Sequence, residues 1–127
     1  MTCNIRKKFF AEILGTFFLV FFGTGSAVVT LLISDSLDPG NAGIGILGGL
    51  GDWIAIALVF GLTVMICIYV FGKISGAHFN PAVTIGLLVT KNIALIDSIY
   101  YIVAQVIGAC LGSIALFLCL GAPAVAI

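Results

Sequence analysis

Apolar positions in this chain fall into long blocks, with polar residues gathered between them. One almost unbroken apolar run extends from Ile13 to Ile33, a second from Trp53 to Phe71 and a third from about Ile99 to Leu120. At about 1.5 Å per helical residue each can cross a hydrocarbon core of roughly 30 Å, so each is expected to be a transmembrane helix. With their flanks the three spans are expected at about 9–33, 53–71 and 97–120. Trp53 begins the second span and Tyr100 and Tyr101 begin the third, where such rings suit the water–lipid interface.

The two connections differ in kind. Asp35, Asp38, Pro39, Gly40 and Asn41 are turn formers, and six glycines follow at 40, 43, 45, 48, 49 and 51. Helix is disfavoured there, so a loop at the membrane surface is expected from 34 to 52. The stretch from Lys73 to Asp97 is too long and too apolar for a plain connector. Within it, Pro81 to Thr90 reads as a helix, with proline at its first position and Asn80 as its N-cap. Such a helix covers about 15 Å, half the core, which suggests a re-entrant segment over about 74–90. Irregular backbone survives at that depth only against protein or a water-filled cavity. The fold class expected is therefore an all-α membrane protein of three transmembrane helices and one re-entrant half-helix.

Composition agrees. Of 127 residues 62% are apolar and 8% charged, and the mean hydropathy is +1.35. A soluble protein carries about 25% charged residues, so the solvent of this surface is expected to be a lipid bilayer. The formal net charge of zero gives no sign of a nucleic-acid partner. Cys3, Cys67, Cys110 and Cys119 have no metal-ligand spacing. Arg6-Lys7-Lys8 followed by an apolar run and Gly25-Ser26-Ala27 has the order of a signal peptide, but the run exceeds the roughly 7–15 residues of a signal core.

With three spans, Arg6, Lys7, Lys8, Lys73 and Lys91 all fall on one side, and Asp35, Asp38 and Asp52 on the other. The positive-inside rule makes the basic side cytoplasmic. The N-terminus is expected inside and the C-terminus outside a cell membrane.

Asn80 as an N-cap commits its side-chain oxygen to an amide of the second or third helical residue, the third being Val83. Its NH2 then remains to face outward, beside a helix end that carries roughly half a positive charge. At mid-membrane beside a cavity, that pairing would orient a passing water by its oxygen and repel cations. An ordinary capped helix after a turn is the alternative. No nucleophile–base pair, phosphate loop or second histidine accompanies it, so neither an enzyme nor a cofactor is expected.

The run Lys73-Ile74-Ser75-Gly76-Ala77-His78-Phe79-Asn80-Pro81-Ala82-Val83-Thr84 closely resembles the first signature of the major intrinsic protein family, the aquaporins and glycerol channels. Ala11-Glu12 with Gly15-Thr16, and Ala104-Gln105 with Gly108-Ala109, lie at matching places, and the Gly48-to-Trp53 stretch looks most like archaeal aquaporins. The resemblance covers essentially residues 1–127 and implies passive passage of water and small neutral solutes. It implies that Asn80 is the mid-membrane donor and that Pro81 and Ala82 shape the helix start. Gly76, Ala77 and His78 would offer backbone carbonyls on the cytoplasmic half of the path. Phe60, twenty residues before Asn80, would be one wall of the outer constriction, or else a plain core or lipid-facing ring. Glu12 would hold the re-entrant loop through its backbone amides, or else stand at the headgroups, and Gln105 would assist it. Phe17, Phe18, Phe21 and Phe22 read as lipid-facing bulk, and Gly108-x-x-x-Gly112 as a helix-packing face.

A complete channel of that family has six spans and two half-helices related as inverted repeats. The chain carries one such repeat and lacks the second Asn-Pro-Ala and the arginine that follows it. It is expected to be the N-terminal half of a longer channel, or a half-channel that needs a second half as partner, in a family that is tetrameric. A non-conducting scaffold packing through the third-span glycines is the alternative of a different class. Half of an inverted-repeat transporter would require charged residues facing the cavity, and apart from Glu12 the spans hold none.

Overall fold

Asn4 starts the first helix by accepting the Arg6 amide on its side-chain oxygen at 3.0 Å. The computed structural model describes residues 4–37 and 50–121, with the backbone alone for 34–37. Helix α1 runs Ile5–Phe18, loosens into a π-helical stretch at Leu19–Thr24, and continues as α2, Gly25–Leu37. Helix α3 spans Leu50–Ser75, α4 spans Pro81–Val89 and α5 spans Leu95–Leu120. No strand occurs among the described residues.

Three helical runs are long and apolar enough to cross a membrane: Ile5–Ile33, Leu50–Ser75 and Leu95–Leu120. The second and third have 26 residues each, roughly 39 Å at about 1.5 Å per residue, so their ends extend past the hydrocarbon core or tilt. The helices therefore take in residues expected to be loop. Gly51 and Asp52 lie in the first turn of α3, where an acid is favourable against the positive helix end. The glycine-rich segment at 38–49, and Cys3 and Pro123-to-Ile127, lie outside the described residues.

The interior is more polar than the surface. Buried among the described residues are Glu12, Thr16, Thr63, Ser75, Thr84, Ser98 and Gln105, seven polar side chains against six apolar ones. Leu118 and Val89, by contrast, are each 75% exposed. In water such a surface would aggregate; in lipid it is already in a matching solvent. Association must then come from close packing and internal hydrogen bonds.

Helix α5 packs chiefly on α1, and α4 chiefly on α5. Gly108 lets α1 and α5 meet backbone to backbone, since a Cβ there would stand 2.4 Å from the carbonyl oxygen of Ile13. One turn on, a Cβ at Gly112 would stand 3.0 Å from the Phe17 oxygen. The third-span glycines are thus used inside the chain. At the basic end Lys8 pairs with Asp97 at 3.3 Å, which sets the starts of α1 and α5 side by side. Phe17 and Phe21 stack at 5.8 Å and are half-buried, so they are not simply lipid-facing.

Tyr101 departs from its expected place. It is only 2% exposed, and its hydroxyl donates to the Ser75 carbonyl at 2.5 Å, so it anchors the end of α3 and not the lipid interface. Its register explains this: Ser98, Tyr101, Ala104, Gln105, Gly108 and Gly112 form the buried stripe of α5, while the adjacent Tyr100 is 48% exposed.

Candidate functional site

The backbone between α3 and α4 cannot hold itself together. Gly76 has φ 91°, Ala77 56° and Phe79 49°, and the left-handed region costs a non-glycine residue about 1–2 kcal/mol. In this conformation the amides of His78 and Phe79 find no backbone acceptor. Glu12, about two turns inside α1, accepts both.

The Glu12 carboxylate is fully buried. Its Oε1 accepts the Ser75 hydroxyl at 2.6 Å and the His78 amide at 3.0 Å. Its Oε2 accepts the Phe79 amide at 2.8 Å and Gln105 Nε2 at 2.8 Å. Ser75 Oγ in turn accepts the Ala77 amide at 3.1 Å. Three consecutive amides are thereby satisfied, directly or through one hydroxyl, by a side chain more than sixty residues away. The Phe79 ring completes the anchor: it is 5% exposed and lies on Gly15, where a Cβ would meet its Cε1 at 2.0 Å.

Past this loop Asn80 begins α4. Its Oδ1 accepts the Ala82 amide at 2.8 Å, so the cap closes on the second helical residue and not on Val83. Asn80 is exposed, and no acceptor among the described residues reaches its Nδ2. Pro81 is half-buried and Ala82 exposed. The other end of α4 closes on Thr90, with the Asn92 amide reaching back to the Leu87 carbonyl and Lys91 taking the positive φ usually left to glycine.

Depth follows from the partners. Thr84, fully buried, accepts Gln105 Nε2 at 3.0 Å. Gln105 lies ten residues past Leu95, roughly 15 Å along α5 at about 1.5 Å per residue. The capped end of α4 is therefore level with the middle of α5, while its other end returns toward the start of α5. Thr84 Oγ1 also lies 3.1 Å from His78 Nδ1, and the His78 ring rests against the edge of Tyr101 at 4.8 Å. Among the described residues no donor reaches the carbonyls of Gly76, Ala77 or His78.

Glu12, Gln105, His78, Gly76, Ala77, Asn80, Pro81 and Ala82 thus share one connected cluster. Phe60 stands apart, its ring against Gly23 in the π-helical stretch, where a Cβ would meet Cε1 at 2.6 Å. Sequence reasoning gave no role to Ser75, Phe79 or Thr84, and took Tyr101 for an interface anchor. The first three lie within the 73–84 signature, and Tyr101 is one turn before Gln105 on the same stripe. Among the described residues two buried side-chain atoms, Thr16 Oγ1 and Gln105 Oε1, have no partner.

A polar interior, an apolar exterior and three helices of spanning length define a multi-pass α-helical membrane protein, here with a short fourth helix whose capped end is level with the middle of α5. The family model for the major intrinsic protein matches residues 1–125, and the chain belongs to that family. It is 51% identical over 121 residues to the aquaporin AqpM of Methanothermobacter marburgensis, covering 93% of this chain and 49% of that one. To the aquaporin AqpM of Methanothermobacter thermautotrophicus it is 49% identical over 127 residues, covering 98% and 52%. The glycerol uptake facilitator protein-like 6 of Lactiplantibacillus plantarum is 43% identical over 109 residues, covering 86% and 42%. The chain spans about half the length of the curated relatives it matches.

Proposed function

We propose that this chain is one half of an aquaporin-like channel for passive passage of water and of small neutral solutes such as glycerol. The observation that carries the reading is the capped end of α4. With Oδ1 held by the Ala82 amide, Asn80 has one free amide donor, at a positive helix end level with the middle of a spanning helix. A solute oxygen would accept from Nδ2, and a cation would meet both a donor and a positive potential. The unclaimed carbonyls of Gly76, Ala77 and His78 supply acceptors leading to that point, and Phe60 supplies an outer wall. The names of the relatives, aquaporin and glycerol uptake facilitator, support the same solute class.

Residues 1–127 form the N-terminal half in this reading, with a re-entrant segment at about 74–90. The remaining wall comes from a second half-channel, in a cell membrane and within an oligomer. The Lys8–Asp97 pair and the basic residues around it favour a cytoplasmic N-terminus. The scaffold alternative loses its docking face, because Gly108 and Gly112 are already closed against α1.

Vesicle shrinkage under an osmotic gradient tests the proposal. The chain alone should not exceed empty vesicles, and joined to a second half it should. Asn80→Asp keeps an N-cap acceptor for the Ala82 amide, so the fold persists, while water flow falls and a cation leak appears. Flow through the isolated chain, or an Asn80→Asp channel indistinguishable from wild type, would overturn it.

A further inference from the structure

One buried hydroxyl joins the support of the loop to its histidine. The Glu12 oxygens only accept, so Gln105 must turn its NH2 toward Oε2, 2.8 Å away. The same nitrogen reaches Thr84 Oγ1 at 3.0 Å with its second proton. Thr84 therefore accepts from Gln105 and has one proton to give. Two acceptors lie within reach: His78 Nδ1 at 3.1 Å and the Asn80 carbonyl at 3.3 Å. The Asn80 carbonyl already takes the Thr84 amide at 3.1 Å as the first bond of α4. A hydroxyl proton sent there would be a second, longer bond, and Nδ1 would then have to carry a proton of its own.

We infer that Thr84 is a positioning residue that donates its hydroxyl proton to His78 Nδ1 and so holds the ring as its Nε2–H tautomer, with a donor and not an acceptor facing the solute path. The partner on one ring nitrogen decides which proton the other carries. Donation runs one way, from Gln105 to Thr84 to His78, and its direction is set by Glu12. No acceptor among the described residues reaches Nε2, and Tyr101 holds the ring edge-on. His78 and Asn80 then both offer N–H groups to a solute oxygen, separated by backbone that offers carbonyls. The inference deepens the proposed function, since it takes His78 to border the path.

The test is spectroscopic and does not depend on transport. The chain has one histidine. Its ring nitrogens, labelled with 15N in membrane-reconstituted protein at a pH of about 8, where an unperturbed imidazole is neutral, report the tautomer directly; loss of the signals in His78→Gln assigns them. The expected spectrum has a pyridine-like Nδ1 and a pyrrole-like Nε2–H, kept in Thr84→Ser and replaced by a mixture of tautomers in Thr84→Val. A pyrrole-like Nδ1 in the wild-type protein overturns the inference, as does an unchanged spectrum in Thr84→Val. Should Thr84→Val not fold, the wild-type and Thr84→Ser spectra decide alone. An Nε2–H spectrum from a protein that passes no solute when completed would remove the channel reading while leaving the tautomer assignment in place.

Discussion

Replacing Glu12 by glutamine keeps the size of the side chain and turns one acceptor oxygen into an NH2 donor. Glu12 receives four donors, two on each oxygen, at 2.6 and 3.0 Å on Oε1 and at 2.8 and 2.8 Å on Oε2. Whichever way the new amide turns, its NH2 faces one backbone amide that can only donate, His78 or Phe79, since the Ser75 hydroxyl can reverse and the Gln105 amide can flip. A hydrogen bond to a charged group contributes about 1.5–3 kcal/mol, so losing that amide's bond costs about as much. The damage concentrates at the loop, because Ala77 and Phe79 hold positive φ values and the His78 and Phe79 amides have no acceptor but Glu12 among the described residues. Hydrogen exchange of the His78 and Phe79 amides reads it directly. At 1.4 kcal/mol per decade, protection of whichever amide faces the NH2 should fall by about 10–10². Amides in the middle of α5, bonded within their own helix, should change far less. Equal protection of His78 and Phe79 in wild type and variant would mean that Glu12 does not hold the loop, and the account of the site would fail with it.

Gly108→Ala forces a Cβ toward the Ile13 carbonyl oxygen, at 2.4 Å without relaxation, and should destabilise the α1–α5 pair by about 1–3 kcal/mol, visible as a lower thermal midpoint in detergent. An unchanged midpoint would show that the helices are not in backbone contact there. Tyr101→Phe removes the donor to the Ser75 carbonyl and should cost about 1–3 kcal/mol, whereas Tyr100→Phe should be neutral. Lys8 and Asp97, 27% and 34% exposed, should show a coupling below about 1 kcal/mol in a double-mutant cycle, shrinking further as salt is raised.

Membrane residence and helix number were legible because they depend on one-dimensional quantities, the length and apolarity of a run. The cap of α4 was legible for a similar reason, since Asn80, Pro81 and the amide of Ala82 are neighbours in the chain. Spacing left the choice between the second and third amide open, and the geometry of the turn selected Ala82. Glu12 carried a signal as a costly carboxylate in an apolar run, but its four partners come from two other stretches of chain, 75–79 and the middle of α5.

The sequence alone therefore determined which solvent the surface meets, how many helices cross it, and where a half-length helix begins. Only the tertiary structure decided that Tyr101 turns inward while Tyr100 faces out, that α1 and α5 touch through Gly108, and that a buried carboxylate holds the left-handed backbone at Ala77 and Phe79. Hydropathy reports a side chain's preference for lipid or water. In a bilayer that preference is nearly satisfied before the helices meet, so their arrangement rests on close contacts and hydrogen bonds between residues far apart in the chain.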